Sequence, residues 1–282
     1  MKQQTIPVDP HQKVTLESIP GDLRAAGWDR SEIMAKTDGD KLDIISATDG
    51  IIISCEEDLI LYLPRSADLN VIKVAGDVIL QAINGPVTLG PIAGDLTMND
   101  LGPVTLGTVS GDASLRNTGA LNADTISGDF TLRGGHGVCA VENIGGDASV
   151  RDVDGMVTIA EVGSDLYVRN VHGAVTVKAG ADVALYLSPT PGQTYDVNAG
   201  DDLILRLTPE VKVKLHLNAS SPESIQVDFP GVNLPGDCTS CEVLIGDQDE
   251  GAAEMLLTAG GDLLVTSQAD PWKSAADFDH GD

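Results

Sequence analysis

The sequence predicts an all-β fold: a parallel β-solenoid (β-helix), which we expect to be right-handed, with 17 or 18 residues in each regular coil. Three observations predict it. Gly-Asp recurs at this interval, a short strand of alternating apolar residues follows each recurrence, and a second Gly-marked strand falls midway between them. A unit of this length is too short for helical-hairpin repeats, which run to roughly 33 to 47 residues.

The Gly-Asp pairs mark the start of each unit. Ile or Val and one further residue precede most of them, as in VAGD, IAGD, VSGD, ISGD and IGGD, whereas Ser164 and Ala181 replace the Gly in two later units. The aspartates of the series are Asp77, Asp95, Asp112, Asp129, Asp147, Asp165 and Asp182. A turn Asp accepts hydrogen bonds from nearby backbone N–H groups, so we interpret these aspartates as corner residues.

Alternation assigns the two faces of the strand that follows each Asp. The first and third residues after the Asp are apolar, and the second is Thr or Ser in most units. The predicted inward residues are Leu96, Met98, Ala113, Leu115, Phe130, Leu132, Ala148, Val150, Leu166 and Val168. The midway strands alternate in the same way, with Thr outward. Each unit buries its apolar face only by stacking, about 4.8 Å from the next coil.

Wider coils are predicted on both sides of the regular ones. The segments DLILYLP, DVALYLSP and DLILRLTP each end in Pro and are followed by a loop and another strand. IPGDLR at 19–24 indicates an N-terminal coil, and AGGDLLVTS at 259–267 indicates a final strand that closes the fold.

These segments predict one solenoid domain over residues 1–268. Its wider coils span about 15–72 and 183–268, and its regular coils span about 73–182. The remaining residues, 269–282, lack periodicity and are predicted to form a flexible acidic tail. Trp272 and Phe278 in that tail suggest either a frayed end or a short docking motif.

Charge and composition exclude several classes of partner. The net charge of -26, from 43 acidic and 17 basic residues, disfavours nucleic acid and anionic membranes, because phosphate binding requires clusters of Lys and Arg. No apolar run approaches 18 residues, so no membrane span is predicted. The first residues show no apolar signal segment, which favours the cytoplasm, with the cell surface as the alternative if a signal was removed.

Half of the eight arginines share one register, the fourth position after the Asp: Arg116, Arg133, Arg151 and Arg169. Stacked guanidinium groups repel one another unless acids or an anionic ligand lie between them. One hypothesis is a stripe that binds carboxylate or phosphate groups, or the acidic face of a partner. The alternative is a solvated ladder offset by local polar side chains, here Asp100, Asn117, Asp152 and Asn170.

A second column precedes the midway Gly and contains His136, Asp154 and His172. Two His and one carboxylate are suitable ligands for Zn²⁺ or another transition metal. The same residues also form ordinary His-Gly and Asp-Gly turn pairs, so we expect no cofactor. Calcium-binding nonapeptide repeats need a denser Gly-Gly-x-Gly-x-Asp pattern, which is absent from the sequence.

The four cysteines do not form a disulfide framework in a chain of this length. Cys139 occupies an inward strand position and is predicted to be a core residue. Cys238 and Cys241 form a single C-x-x-C, which by itself is a weak signal for zinc or redox chemistry. A loop disulfide between these two is open if the protein is extracellular.

The repeated [IV]-x-G-D-[LAF]-x-[LV], the midway G-x-V-T-[LIV] and the DLxLxLP strand resemble those of the bacterial putative-adhesin β-solenoid family, which is related to toast-rack-type solenoids. The resemblance covers roughly residues 15 to 268. It implies a right-handed solenoid used as a surface, scaffold or interaction module. It supplies no catalytic residues.

No nucleophile–base–acid set, phosphate loop, His-Glu-x-x-His or dinucleotide fingerprint is present, so we do not expect an enzyme. The first hypothesis is a non-catalytic structural or scaffold protein that self-associates through the open strand edges at the solenoid ends. The alternative is a carbohydrate- or protein-binding module that uses the Arg and Thr ladders. A polysaccharide-active hydrolase or lyase is a third hypothesis.

Overall fold

A computed structural model of the protein describes residues 2–234, 238–246 and 251–267. Every regular element in these ranges is a β-strand. Within the same ranges there is no helix that could cross a membrane. The chain divides into two compact units, Met1–Gly146 and Asp147–Asp282.

The described part of unit 1 contains two sheets of eight strands. Sheet 1A has the spatial order β1-β4-β7-β3-β9-β11-β13-β15, and sheet 1B has the order β5-β6-β2-β8-β10-β12-β14-β16. The strands are β1 (Lys2–Pro7), β2 (Lys13–Ile19), β3 (Leu23–Trp28), β4 (Glu32–Thr37), β5 (Leu42–Ala47), β6 (Gly50–Cys55), β7 (Leu59–Pro64), β8 (Asp68–Val74), β9 (Val78–Ile83), β10 (Val87–Leu89), β11 (Leu96–Leu101), β12 (Val104–Val109), β13 (Ala113–Thr118), β14 (Leu121–Ile126), β15 (Phe130–His136) and β16 (Cys139–Ile144).

Parallel pairing in unit 1 confirms the repeat. Leu96 lies opposite Ala113 and Ala113 lies opposite Phe130, which are steps of 17 residues, and Leu121 lies opposite Cys139, a step of 18. The residues predicted to face inward in the strands that follow Asp95, Asp112 and Asp129 are at most 1% exposed. The all-β, mostly parallel solenoid predicted from the sequence is therefore the fold that forms.

The corner aspartates of unit 1 form a hydrogen-bonded ladder. In each coil the backbone N–H of the Asp donates to the Oδ1 of the corresponding Asp in the neighbouring coil, at 2.9 Å in all five steps. The ladder runs in the order Asp58, Asp22, Asp77, Asp95, Asp112 and Asp129. The predicted corner role is thus correct, and the partner of each carboxylate is the next coil's main chain.

In unit 1 the glycine before each Asp whose N–H donates in the ladder is required by space. A Cβ on Gly111 would overlap the Oδ1 of Asp95, and one on Gly128 would overlap the Oδ1 of Asp112. The carboxylate that receives the amide hydrogen bond therefore occupies the volume that a side chain would need. This explains why Gly and Asp recur together.

The N-terminal strands lie one coil inside the end of unit 1. β3 pairs in parallel with both β7 and β9, and β2 pairs in parallel with both β6 and β8. Beyond them the pairing becomes antiparallel, because β4 pairs with β7, β1 pairs with β4, and β5 pairs with β6. The segment RSEIMAK at 30–36 contributes most of β4.

The described part of unit 2 contains two sheets of six strands. Sheet 2A has the order β17-β19-β21-β23-β28-β25, and sheet 2B has the order β18-β20-β22-β27-β24-β26. The strands are β17 (Ala148–Asp154), β18 (Val157–Val162), β19 (Leu166–Val171), β20 (Val175–Ala179), β21 (Val183–Leu187), β22 (Thr194–Ala199), β23 (Leu203–Leu207), β24 (Val213–Ala219), β25 (Ile225–Asp228), β26 (Ser240–Ile245), β27 (Ala253–Ala259) and β28 (Leu263–Ser267).

The same ladder is present in unit 2, in the order Asp147, Asp165, Asp182, Asp202 and Asp262. The donors that follow Ser164, Ala181 and Asp201 make bonds of 3.2, 3.1 and 3.0 Å. The donor that follows Gly261 makes a bond of 2.8 Å. The coils that carry a Cβ before the Asp therefore have the longer bonds of this unit.

The last described strands of the chain are not the last strands of unit 2, which corrects the expectation that 259–267 closes the fold. β28 pairs with β23 and β25, and β27 pairs with β22 and β24. The physical reason is the Asp ladder, which joins Asp262 directly to Asp202. At the far side of sheet 2B, β26 pairs with β24 in the antiparallel sense.

Both units have narrow aliphatic interiors between their two sheets. Inward Leu, Ile, Val and Ala side chains dominate, and Tyr195 is the largest fully buried side chain, with its hydroxyl accepting the N–H of Thr190 at 2.9 Å. The solenoid is thus flattened and two-sided in each unit. The single domain over 1–268 and the right-handed sense stay predictions, and the tail at 269–282, with Trp272 and Phe278, lies outside the described residues.

We predict that Gly111→Ala destabilises the protein by about 1–3 kcal/mol, because the new Cβ displaces the carboxylate of Asp95. Urea denaturation followed by circular dichroism measures the change. Gly107→Ala is the matched control, since its Cβ would lie 3.5 Å from the nearest atom, an ordinary contact. We expect that variant to stay within about 1 kcal/mol of the parent. Equal stability of the two variants would contradict the steric explanation.

Candidate functional site: the Arg–Tyr face

The predicted arginine column is present within each unit. In unit 1, Arg116 on β13 lies directly opposite Arg133 on β15. In unit 2, Arg151 on β17 lies directly opposite Arg169 on β19. The side chains of this register alternate with buried neighbours, so they project from the outer face of sheets 1A and 2A.

The register continues in unit 2 through two residues that the sequence analysis did not single out. Tyr186 on β21 lies opposite Arg169, and Arg206 on β23 lies opposite Tyr186. Tyr167 stands two residues before Arg169 on the same strand, and hence on the same face. We call these five residues, Arg151, Tyr167, Arg169, Tyr186 and Arg206, the Arg–Tyr face.

Ring contacts connect the members of the Arg–Tyr face. The guanidinium of Arg151 lies 4.8 Å from the ring centroid of Tyr167, and that of Arg206 lies 4.9 Å from the ring centroid of Tyr186. The two tyrosine rings are 5.4 Å apart and tilted by 42°. Arg151 Nε also donates to Ser149 Oγ at 3.1 Å. These contacts hold cationic and aromatic groups in place on a flat surface.

A column of left-handed residues follows the arginines. Asp100, Asn117, Asp152 and Asn170 have φ between 50° and 56°, a conformation that Asn and Asp tolerate better than most residues. The amide of Asn117 donates to Asp100 Oδ1 and that of Asn170 donates to Asp152 Oδ1, both at 2.9 Å. Within each unit, these side chains therefore form a hydrogen-bonded pair beside the arginine register.

Charge differs between the two faces of unit 2. The outward positions of sheet 2A carry three arginines. Its strands also contain three acidic residues: Asp152, which directly follows Arg151, Asp154 at the end of β17, and Asp228 on the edge strand β25. On sheet 2B the exposed side chains include Glu161, Asp196, Glu242 and Glu254. The Arg–Tyr face thus concentrates three of the eight arginines of a chain whose net charge is -26.

The three residues considered as metal ligands lie at strand ends in both units. His136 ends β15 in unit 1, whereas Asp154 ends β17 and His172 directly follows β19 in unit 2. All three are exposed. Among the described residues, no group of three or more His, Cys, Asp or Glu side chains is arranged to hold a metal ion. Metal binding by this set stays a prediction.

A histidine cluster on sheet 2B was not anticipated. His216 Nε2 lies 2.8 Å from Glu254 Oε1, and His216 Nδ1 lies 3.3 Å from Glu242 Oε1. Lys214 Nζ lies 3.3 Å from Glu242 Oε2. These contacts cross β26, β24 and β27, so they tie together the strands at the far side of sheet 2B.

The cysteines occupy two kinds of position. Cys139 is 2% exposed, as predicted for a core residue, and burial raises the pKa of its thiol to about 12. Cys238 and Cys241 are half-buried, and both are free thiols. Burial, followed by the neighbouring Cys238 thiol, raises the pKa of Cys241.

One cleft in unit 1 carries charges of both signs. It has a volume of about 140 Å³, and its walls include Arg24 and Lys36 together with Asp22, Asp38 and Asp58. Because acids and bases share its walls, the cleft shows no preference for one sign of ligand.

Two solved structures are similar to this chain over most of its length. One is a putative cell adhesion protein from Clostridium sporogenes ATCC 15579, with 12% sequence identity, a TM-score of 0.20, and coverage of 95% of this chain and 99% of that chain. The other is a putative adhesin from Bacteroides fragilis NCTC 9343, with 7% identity, a TM-score of 0.26, and coverage of 95% and 96%. No family model and no curated protein matches the chain.

We predict that iodoacetamide does not label Cys139 in the folded protein at pH 8. The thiolate is the reactive form, and a raised pKa keeps Cys139 protonated well above that pH. Peptide mass spectrometry should show Cys238 labelled first and Cys139 labelled only after unfolding in guanidinium. Rapid labelling of Cys139 without unfolding would contradict its place in the core.

Proposed function

We propose that this protein is a non-catalytic, adhesin-like β-solenoid that binds an anionic partner on the Arg–Tyr face. One observation carries the proposal. Three arginines interleave with two tyrosines on one outward surface of unit 2, and ring contacts hold Arg151 and Arg206 in place. The motif resemblance to the putative-adhesin family supports the wider class, a solenoid used as an interaction surface.

The arrangement favours binding for two physical reasons. A guanidinium pairs with carboxylate or phosphate groups through two parallel hydrogen bonds, and it can stack on an aromatic ring at the same time. Holding the side chains in place before the partner arrives reduces the entropy that binding would otherwise cost. The sheet supplies the rigid support, because each residue is fixed to a strand that pairs with a neighbouring strand of sheet 2A.

The four arginines of the predicted stripe are not equivalent in this proposal. Arg116 and Arg133 share the register. On the other side of β13, however, the next two strands, β11 and β9, carry Asn99 and Gln81 at the equivalent positions. Arg151 and Arg169 have Tyr167 and Tyr186 beside them. We therefore propose Arg151 and Arg169, with Arg206, as the main contacts.

We predict that the protein binds immobilised anionic polymers, poly-L-glutamate or polygalacturonate, in preference to neutral dextran. Exchanging Arg151 and Arg169 together for Glu should reduce this binding about tenfold or more, because two attractive charges become repulsive ones. Surface plasmon resonance measures both, and added salt should weaken the binding through screening.

The matched control is the double exchange of Arg116 and Arg133 for Glu, which makes the same charge change in the same register of unit 1. We expect it to lose much less affinity. If neither anionic polymer binds, or if both double variants lose the same affinity, the proposal is wrong. Circular dichroism confirms that each variant is folded.

Self-association is a second candidate, favoured by the sheet edges. β1 and β5 in unit 1, and β25 and β26 in unit 2, each have a strand neighbour on one side only within the described sheets. An edge strand presents backbone N–H and C=O groups that a second chain can pair with. Three of these edge strands, β1, β5 and β26, join the sheets by antiparallel pairing.

If edges mediate self-association, the molar mass from light scattering should rise with protein concentration and rise further with added salt. Salt screens the repulsion between copies that each carry a net charge of -26. This response is opposite to that of binding at the Arg–Tyr face. A constant monomer mass over the whole concentration range, with and without salt, would rule the candidate out.

A further inference from the structure

The Arg–Tyr face combines two chemistries that together indicate the class of its partner. We infer that the partner is a linear polysaccharide that bears carboxylate groups, a polyuronate, which lies across the strands of sheet 2A. This inference rests on the proposed function, because it specifies the ligand of the same surface. It commits to a sugar polymer over an acidic polypeptide.

The arginines account for the charge of the ligand. Arg151, Arg169 and Arg206 lie on three strands of a sheet whose neighbouring strands are about 4.8 Å apart. A polymer with a carboxylate on each residue presents anions at intervals along its length. Such a ligand can contact several arginines at once, and contacts made within one chain reinforce one another.

The tyrosines account for the sugar. Tyr167 and Tyr186 are both half-buried and stand beside each other, with ring centroids 5.4 Å apart. An aromatic ring provides a flat apolar surface with a polar hydroxyl at its edge. Arg151 covers part of the Tyr167 ring and Arg206 covers part of the Tyr186 ring. The C–H groups on one face of a pyranose ring would pack against the ring surface that stays accessible, whereas a glutamate side chain offers no comparable flat face.

The shape and stiffness of the ligand also favour a polysaccharide. The face is the open outer surface of a sheet, so it suits an extended chain rather than a compact molecule. A disordered acidic polypeptide loses conformational entropy when it becomes ordered on a flat surface. A linear polyuronate is already extended, so it loses less of this entropy on binding.

The inference is tested with three probes: an oligogalacturonate, the same oligosaccharide with its carboxylates reduced to alcohols, and a poly-L-glutamate of similar length. Isothermal titration calorimetry measures each affinity. We expect the oligogalacturonate to bind about tenfold more tightly than poly-L-glutamate. We expect Tyr167→Ala to weaken oligogalacturonate binding about tenfold while Tyr167→Phe, which keeps the ring, changes it little.

The controls separate this inference from the proposed function. Tyr167→Ala should weaken poly-L-glutamate binding much less than it weakens oligogalacturonate binding, because with poly-L-glutamate only the positioning of Arg151 is lost. The neutral oligosaccharide should bind more weakly than the charged one. If poly-L-glutamate binds as tightly as the oligogalacturonate, or if Tyr167→Ala weakens both probes equally, the tyrosines only position the arginines. The sugar assignment is then wrong while anion binding stands. If none of the probes binds, both proposals fail.

Discussion

Most coils begin with an aspartate whose Oδ1 accepts the amide N–H of the next aspartate in the ladder, and in the regular coils of unit 1 a preceding Gly leaves space for that carboxylate. This contact fixes where a coil starts relative to its neighbour. A shift of one residue would break the ladder and would also turn every apolar side chain of the strand outward. The register that the aspartates set is therefore the register that the core needs.

The outer surface follows from the same constraint. Once the coils are in register, residues at the same position of successive coils lie side by side. An Arg that recurs at one position therefore forms a column. Function is then decided by the few positions where the pattern departs from the repeat. Tyr167 stands where the coil before it has Ser149, and Tyr186 stands where the coil before it has Arg169. These two departures create the ring contacts of the Arg–Tyr face.

Much of the fold could be predicted from the sequence, because period and alternation report directly on stacking and burial. The corner role of Asp112, the inward position of Phe130 and the shared register of Arg151 and Arg169 all follow from spacing. The tyrosines were missed because they occupy different positions of their units, so no single column contains both. The order of the end coils was not predicted, because the local sequence around Asp22 or Asp262 does not indicate which coil pairs with it. Asp22 lies between Asp58 and Asp77 in the ladder, and Asp262 follows Asp202.

In unit 2, the late strands β27 and β28 lie between strands that precede them in the chain, and this order has a consequence for synthesis on the ribosome. In unit 2, β24 and β25 pair in parallel with β27 and β28, which are synthesised later. Likewise, the Oδ1 of Asp202 accepts the N–H of Asp262, a residue 60 positions further along the chain. A regular solenoid can add each coil as it emerges, from the N-terminus onward. Here the closing coils cannot complete their parallel pairing until β27 and β28 have been synthesised. A nascent chain stalled before residue 251 would hold unpaired strands, exposed to chaperones and to other nascent chains.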